Sequence, residues 1–136
     1  MKKQLLKDLA KARKYTLEVA EAMPEKSLGF KPAPETWAFN ELMQHMAYSL
    51  IWMEENYLLK KETKWMPPEA GNNKKDLIAK LEESFDTVEK HADRYTLQDE
   101  TLASSFYAML EHNAHHRGQA VTYLRCCGVI PPEYPF

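Results

Sequence analysis

Two histidines four residues apart, His112 and His116, carry the first sign of chemistry in this chain. They sit in Leu110-Glu111-His112-Asn113-Ala114-His115-His116-Arg117-Gly118-Gln119, and three of the five histidines fall within that short span. In a helix, residues i and i+4 share a face with Cβ atoms roughly 5–6 Å apart, so two imidazoles so placed can grip one metal ion. A third nitrogen completes a site of catalytic type, and His45, on another apolar helical face, is placed to supply it. Without a metal, two core-facing imidazoles need two buried partners or cost about 1–3 kcal/mol each in desolvation.

The spacing narrows the metal chemistry. A His-Glu-x-x-His zincin is excluded because position 113 is Asn. Paired Glu-x-x-His motifs of di-iron bundles are absent; the nearest approach is Glu41 four residues before His45. A single ion on three neutral imidazoles remains. Zinc fits, and nickel, iron or cobalt also accept nitrogen. Three protein ligands leave a coordination position open. His115 reads either as a residue supporting the site or facing substrate, or as a solvent-exposed one, and Glu111 lies between face and flank. His91, on the third helix, reads as an exposed or boundary residue.

Four amphipathic segments must position these side chains. In the first, from about Lys3 to Met23, Leu5, Leu6, Leu9, Ala12, Thr16, Val19, Ala20 and Met23 trace one stripe, and Pro24 ends it. A connector with Pro24, Gly29, Pro32 and Pro34 leads to the second helix, from Thr36 or Trp37 to about Lys60. Its face holds Leu42, His45, Ser49, Trp52 and Asn56. Residues 61–73 form a loop, with Asn72 or Asn73 as the N-cap of helix three. That helix carries Leu77, Leu81, Phe85, Val88, Ala92 and Tyr95 in step. After Gln98-Asp99-Glu100, helix four presents Leu102, Ser105, Met109, His112, His116, Ala120, Tyr123 and Cys127. Gly128 sits at a C′ position, Pro131-Pro132 forbid continuation, and Arg125 suits the dipole. The pattern predicts an all-α four-helix bundle spanning residues 1–136 as a single domain.

Composition removes several functions. A net charge of −2 with no basic stripe gives nucleic acid no electrostatic footing. No run of 18 apolar residues is present to span a membrane. The charged start Met1-Lys2-Lys3 is unlike a signal peptide, so a cytoplasmic location is expected. Cys126 and Cys127 are adjacent, form no Cys-x-x-Cys motif and read as ordinary reduced thiols.

Trp37-Ala38-Phe39-Asn40-Glu41-Leu42-Met43-Gln44-His45 resembles the Trp-Ser-x-x-Glu-Leu-x-x-His segment of the DinB/YfiT family. His112-Asn113-Ala114-His115-His116-Arg117-Gly118-Gln119, then Tyr123-Leu124-Arg125 and the Gly128-Val129-Ile130-Pro131-Pro132 tail, resemble its second signature. The resemblance covers essentially the whole chain. It implies a bundle with up-down-down-up connectivity, a mononuclear metal on His45, His112 and His116, and a homodimer. Relatives include thiol transferases that use bacillithiol or mycothiol, a thiol-dependent isomerase, and proteins described as metal-dependent hydrolases. Ala38 departs from the Ser of the family, and Thr36 is the alternative cap, starting the helix two residues earlier.

Together these point to an enzyme in which a divalent ion, zinc or nickel, activates a small thiol or water for a small-molecule substrate. The absence of an accompanying carboxylate base tilts this toward thiol transfer. Two other readings remain open. One is a non-enzymatic stress- or damage-inducible protein whose ion staples two helices, with Glu41 as a fourth ligand. The other is an apo bundle serving as a dimerisation module. Metal affinity is expected to fall below about pH 6.5, where protons compete for imidazole nitrogen. Arg117 pairs with a carboxylate inside the bundle or binds an anionic ligand. Gly118, about 1 kcal/mol worse than Ala in a helix, implies a close helix–helix contact. Trp37, Trp52 and Trp65 read mainly as packing residues, although Trp65 and Tyr48 are candidates for lining a pocket.

Overall fold

The helical periodicity is realised in four helices of a computed structural model that describes residues 1–135: α1 (Lys2–Ala22), α2 (Phe39–Met53), α3 (Lys74–His91) and α4 (Glu100–Cys126). α1 and α2 each pack on both α3 and α4, which leaves α1/α2 and α3/α4 across the diagonals. No helix among the described residues is long and apolar enough to cross a membrane.

Helix direction follows from the two layers of the core. One layer joins Val19 and Met23 at the end of α1 with Leu42 and Met43 at the start of α2. Leu77 and Leu81 at the start of α3 and Tyr123 and Leu124 at the end of α4 complete it. The other joins Leu5 and Leu9, Leu50, Phe85 and Val88, and Ala103 and Phe106. α1 and α4 therefore run one way and α2 and α3 the other, the up-down-down-up order. The α2–α3 connector must then travel the length of the bundle. α3 has 18 residues, about 27 Å at roughly 1.5 Å per residue, and an extended strand of residues 59–73 at about 3.3 Å per residue covers that with slack.

The helix ends obey local chemistry. Met23 is extended (ψ 124°) because Pro24 follows. Asn73 caps α3 by accepting from Asp76 N at 3.0 Å, and Asp99 caps α4 by accepting from Thr101 N and Leu102 N. At the far end of α4, Gly128 (φ 73°) donates to the Arg125 carbonyl and Val129 to the Leu124 carbonyl, a Schellman stop that requires the left-handed conformation. The start of α2 is a correction. Thr36 spends its hydroxyl on the Ala33 carbonyl in the preceding turn, so α2 begins at Phe39. Glu41 accepts from Ala38 N at 2.7 Å, capping a helix whose N-cap side chain cannot.

α2 does not run to Lys60 as a regular helix. It passes into a π-helical turn, Glu54–Leu58, and Lys60 closes it with φ 55°. The turn places the Glu54 carboxylate in the interior, 0% exposed. His91 Nδ1 lies 3.0 Å from its Oε2. Glu54 Oε1 and the Tyr95 hydroxyl are sealed in the same part of the core, where burial, then the Glu54 charge and hydrogen bond, raise the tyrosine pKa. His91 is therefore half-buried and engaged, more than the boundary residue the periodicity predicts.

The buried arc of α4 is also displaced. Ala103, Phe106, Asn113, Arg117 and Leu124 are buried, whereas Leu102, Ser105 and His112 are only partly so. α4 touches both α1 and α2, so its stripe is widened toward α1. Gly118 is exposed, and a Cβ there would meet nothing within 4 Å; the close contact expected for it is not found. Gly118→Ala should therefore stabilise the protein by about 1 kcal/mol through helix propensity, read as a midpoint rise of a few degrees in thermal unfolding.

Candidate metal centre

His45 comes from the second turn of α2, and His112 and His116 come from consecutive turns of α4, its antiparallel neighbour. Their Nε2 atoms form a nearly equilateral triangle: 3.3 Å from His45 to His112, 3.1 Å from His45 to His116, and 3.1 Å between His112 and His116. The three residues form one cluster able to hold a metal, the pair from helical spacing and His45 as the resemblance implies. Two ligands about 2.0–2.1 Å from one tetrahedral ion stand roughly 3.3–3.4 Å apart, so the triangle fits an ion with little movement.

Packing aims these rings. One residue beyond His112, the buried Asn113 Oδ1 accepts from Thr16 Oγ1 at 3.1 Å, which sets α4 against α1. His116 Nδ1 donates to Gln119 Oε1 at 2.8 Å, one turn along the same helix. That bond fixes the tautomer and leaves the Nε2 lone pair for a metal. Gln119 was not singled out as a site residue from sequence, although its i+3 relation to His116 was a readable signal. Gln119→Ala should weaken metal binding about 10–100-fold without loss of helical content, measured by competition with a chromophoric chelator.

Aromatic side chains enclose the triad. The Trp37 ring lies 4.4 Å from His45 and 5.7 Å from His116, and Trp65 lies 5.6 Å from His45. Both tryptophans are close to half exposed, so they form walls open to solvent rather than core. Trp37 is anchored where Tyr123 Oη donates to its carbonyl at 2.8 Å. Trp65 is held through its loop. Trp52 Nε1 donates to the Thr63 carbonyl, Asn56 and Thr63 bond in both directions, and Met66 N donates to Tyr48 Oη at 2.9 Å. Trp52 and Tyr48 thus pack and brace, while Trp65 flanks the site. His115 is exposed and sets its ring edge-on to His116 at 4.9 Å. Glu111 is exposed, Cys126 is exposed and Cys127 is partly buried, both thiols being free.

Glu41 is tied to the start of α2 and is not a member of the cluster. The closed four-ligand site that would merely staple two helices loses its proposed fourth ligand.

The sequence profile of the DinB superfamily matches residues 8–120. The chain belongs to the DinB superfamily. Two solved DinB-like proteins share its fold. One, from Bacillus cereus ATCC 10987, superposes with a TM-score of 0.80 at 19% identity, covering 95% of this chain and 94% of that one. The other, YjoA from Bacillus subtilis, gives 0.64 at 22% identity, covering 98% and 96%. No protein of curated description matches the chain. In this DinB-superfamily protein, the two segments that carried the resemblance are the ones that deliver the three histidines.

Electrostatics prepares the triad for a cation. Burial, then the charges His116 and His112 would carry, pushes His45 down to about 4. His112 is lowered by burial, then by His116 and His115. His116 is lowered by burial, against the opposing Gln119 bond. All three are neutral near pH 7, the form that ligates. The unfolded chain protonates its histidines near 6.5, whereas folded His45 resists until about 4. Between those values the unfolded state binds more protons, so these groups make stability fall as pH falls. Urea unfolding of chelated protein should show a progressive loss from pH 6.5 to 4. For the same reason the folded triad should keep its metal at pH 6, below the pH 6.5 threshold expected from free imidazole.

Proposed function

We propose that this DinB-superfamily protein is a metal-dependent enzyme that activates a small thiol, or alternatively water, against an electrophilic small molecule. The observation that carries this reading is a three-nitrogen triad at 3.1–3.3 Å with no carboxylate in its cluster among the described residues. When bound, the ion, zinc or nickel, supplies a Lewis acid with a free position that lowers the pKa of a thiol or a water. His45, His112 and His116 hold it as neutral ligands, and Gln119 keeps the His116 proton on Nδ1. Trp37 and Trp65 exclude water from two sides and offer flat apolar surface to a substrate. A thiol needs less help from a general base than water does, since its own pKa lies near 8.5. The lack of a carboxylate in the cluster therefore favours thiol transfer over hydrolysis.

The test is loss of a small thiol, such as bacillithiol, in the presence of an alkylating electrophile. Zinc- or nickel-loaded wild type should accelerate it, and chelated protein and His116→Ala should not. Acceleration that survives chelation would overturn the proposal. Ester hydrolysis without thiol by the loaded protein would select the water branch.

A further inference from the structure

Arg117 follows a metal ligand yet faces the other side of α4, toward α1. It is 8% exposed, and its guanidinium stands over the Tyr15 ring at 4.9 Å. Among the described residues it has Tyr15 and Tyr134 as electrostatic neighbours and no carboxylate pairs with it. None of its nitrogens is sealed away as a buried unpartnered atom. Arg117 lines two adjoining cavities, of about 250 and 370 Å³. A guanidinium so enclosed lacks the hydrogen-bond acceptors it would have in water.

The larger is a half-open groove, most of whose lining residues are exposed while Tyr15 and Arg117 at its base are buried. The tail after α4 roofs it, fixed where Tyr15 Oη donates to the Pro132 carbonyl at 3.2 Å and where Tyr134 meets Tyr15 edge-on at 5.5 Å. Its lining includes Val121, Ile130, Pro131 and Pro132 as apolar surface. Among the described residues its charged groups are Arg117, Arg125 and Glu133, a balance of one positive charge. A volume of about 370 Å³ is within the range of small-ligand sites.

We propose that this cavity binds a small organic monocarboxylate with an apolar body, its carboxylate on Arg117 and its body against Val121, Ile130 and the two prolines. The planar guanidinium presents paired donors that match two carboxylate oxygens. A single negative charge balances the cavity, whereas a phosphate dianion would overcompensate it beside Glu133. The site lies on the α1 side of α4 and the metal triad on the α2 side, so occupancy does not depend on a bound metal.

The experiment is a titration of the labelled full chain with benzoate, with acetate and inorganic phosphate as comparators, followed by amide and arginine side-chain NMR. Benzoate should move the Arg117 side-chain resonance and amides in 114–125 and 130–134 saturably, with a Kd of about 1 mM or tighter. Acetate should bind more weakly. Arg117→Gln should weaken benzoate at least about tenfold. Gly118→Leu is the second variant, because Gly118 lines the same cavity with open space at its Cβ. It should block benzoate while preserving the helix, and it decides the matter if Arg117→Gln fails to fold. His45→Ala should leave the titration unchanged. Absence of saturation, shifts confined to the triad, binding that survives either cavity variant, or phosphate binding better than benzoate would each overturn the proposal.

Discussion

His116→Ala should deprive the protein of its metal, with affinity falling by more than about 100-fold at pH 7. Loss of a partner that only orients a ligand already costs about 10–100-fold, and His116 is itself one corner of the triangle. It is also the ligand whose tautomer a specific bond holds. The check is elemental analysis beside wild type, His45→Ala and His112→Ala. A second reading comes from stability. A ligand at about 100 times its Kd stabilises the folded state by roughly 2.7 kcal/mol, so wild type should lose about that much on chelation. His116→Ala should be indifferent to chelator. Full metal content in the alanine variant would move the site away from these residues.

The second large effect lies at the other end of α2. His91→Ala should destabilise the protein by about 1–3 kcal/mol, the range for leaving a buried polar group without its hydrogen-bond partner. The His91 side chain is 24% exposed, whereas Glu54 is 0% exposed. The damage comes from what stays behind, a buried carboxyl group without the imidazole that bonds it. Burial raises the Glu54 pKa, and the His91 hydrogen bond and charge oppose that rise. With His91 gone, the folded state holds a proton that the unfolded state releases near 4.5. Stability of the variant then falls as pH rises through that window. Adding Glu54→Gln to His91→Ala should therefore recover part of the loss at pH 7, and less of it at pH 5. Urea unfolding of the two variants measures both. A double variant no more stable than His91→Ala at pH 7 would refute the account.

These two sites differ in how legible they were. His112 and His116 are close in sequence and helical spacing brings them together, so the pair announces itself. His45 is on another helix; its apolar face allowed it as the third ligand, and the family resemblance singled it out. The up-down-down-up order came from that resemblance as well. Periodicity finds helices but not their directions, which here show only in which ends share a core layer. Glu54 and His91 are 37 residues apart, and they meet because a π-helical turn rotates Glu54 inward. No hydrophobic period encodes such a turn. The α2 start was missed because the cap is supplied backwards, by Glu41 to Ala38, rather than by Thr36. The α4 face shifted because a helix wedged between two neighbours buries more of its circumference than one stripe predicts.

The crossover between α2 and α3 has a consequence for reassembly. A single peptide cut within residues 61–73 would divide the chain into an α1–α2 half and an α3–α4 half. In each half the two helices lie across a diagonal of the bundle, so neither fragment owns a packed helix pair. Each would be unstructured alone and folded only when joined, since the substantial helix interfaces all lie between the halves. The triad divides with them, His45 on one piece and His112 with His116 on the other. A metal ion would thus add a coordinate link to the core packing that joins two complementing fragments, so their association should tighten when the ion is bound.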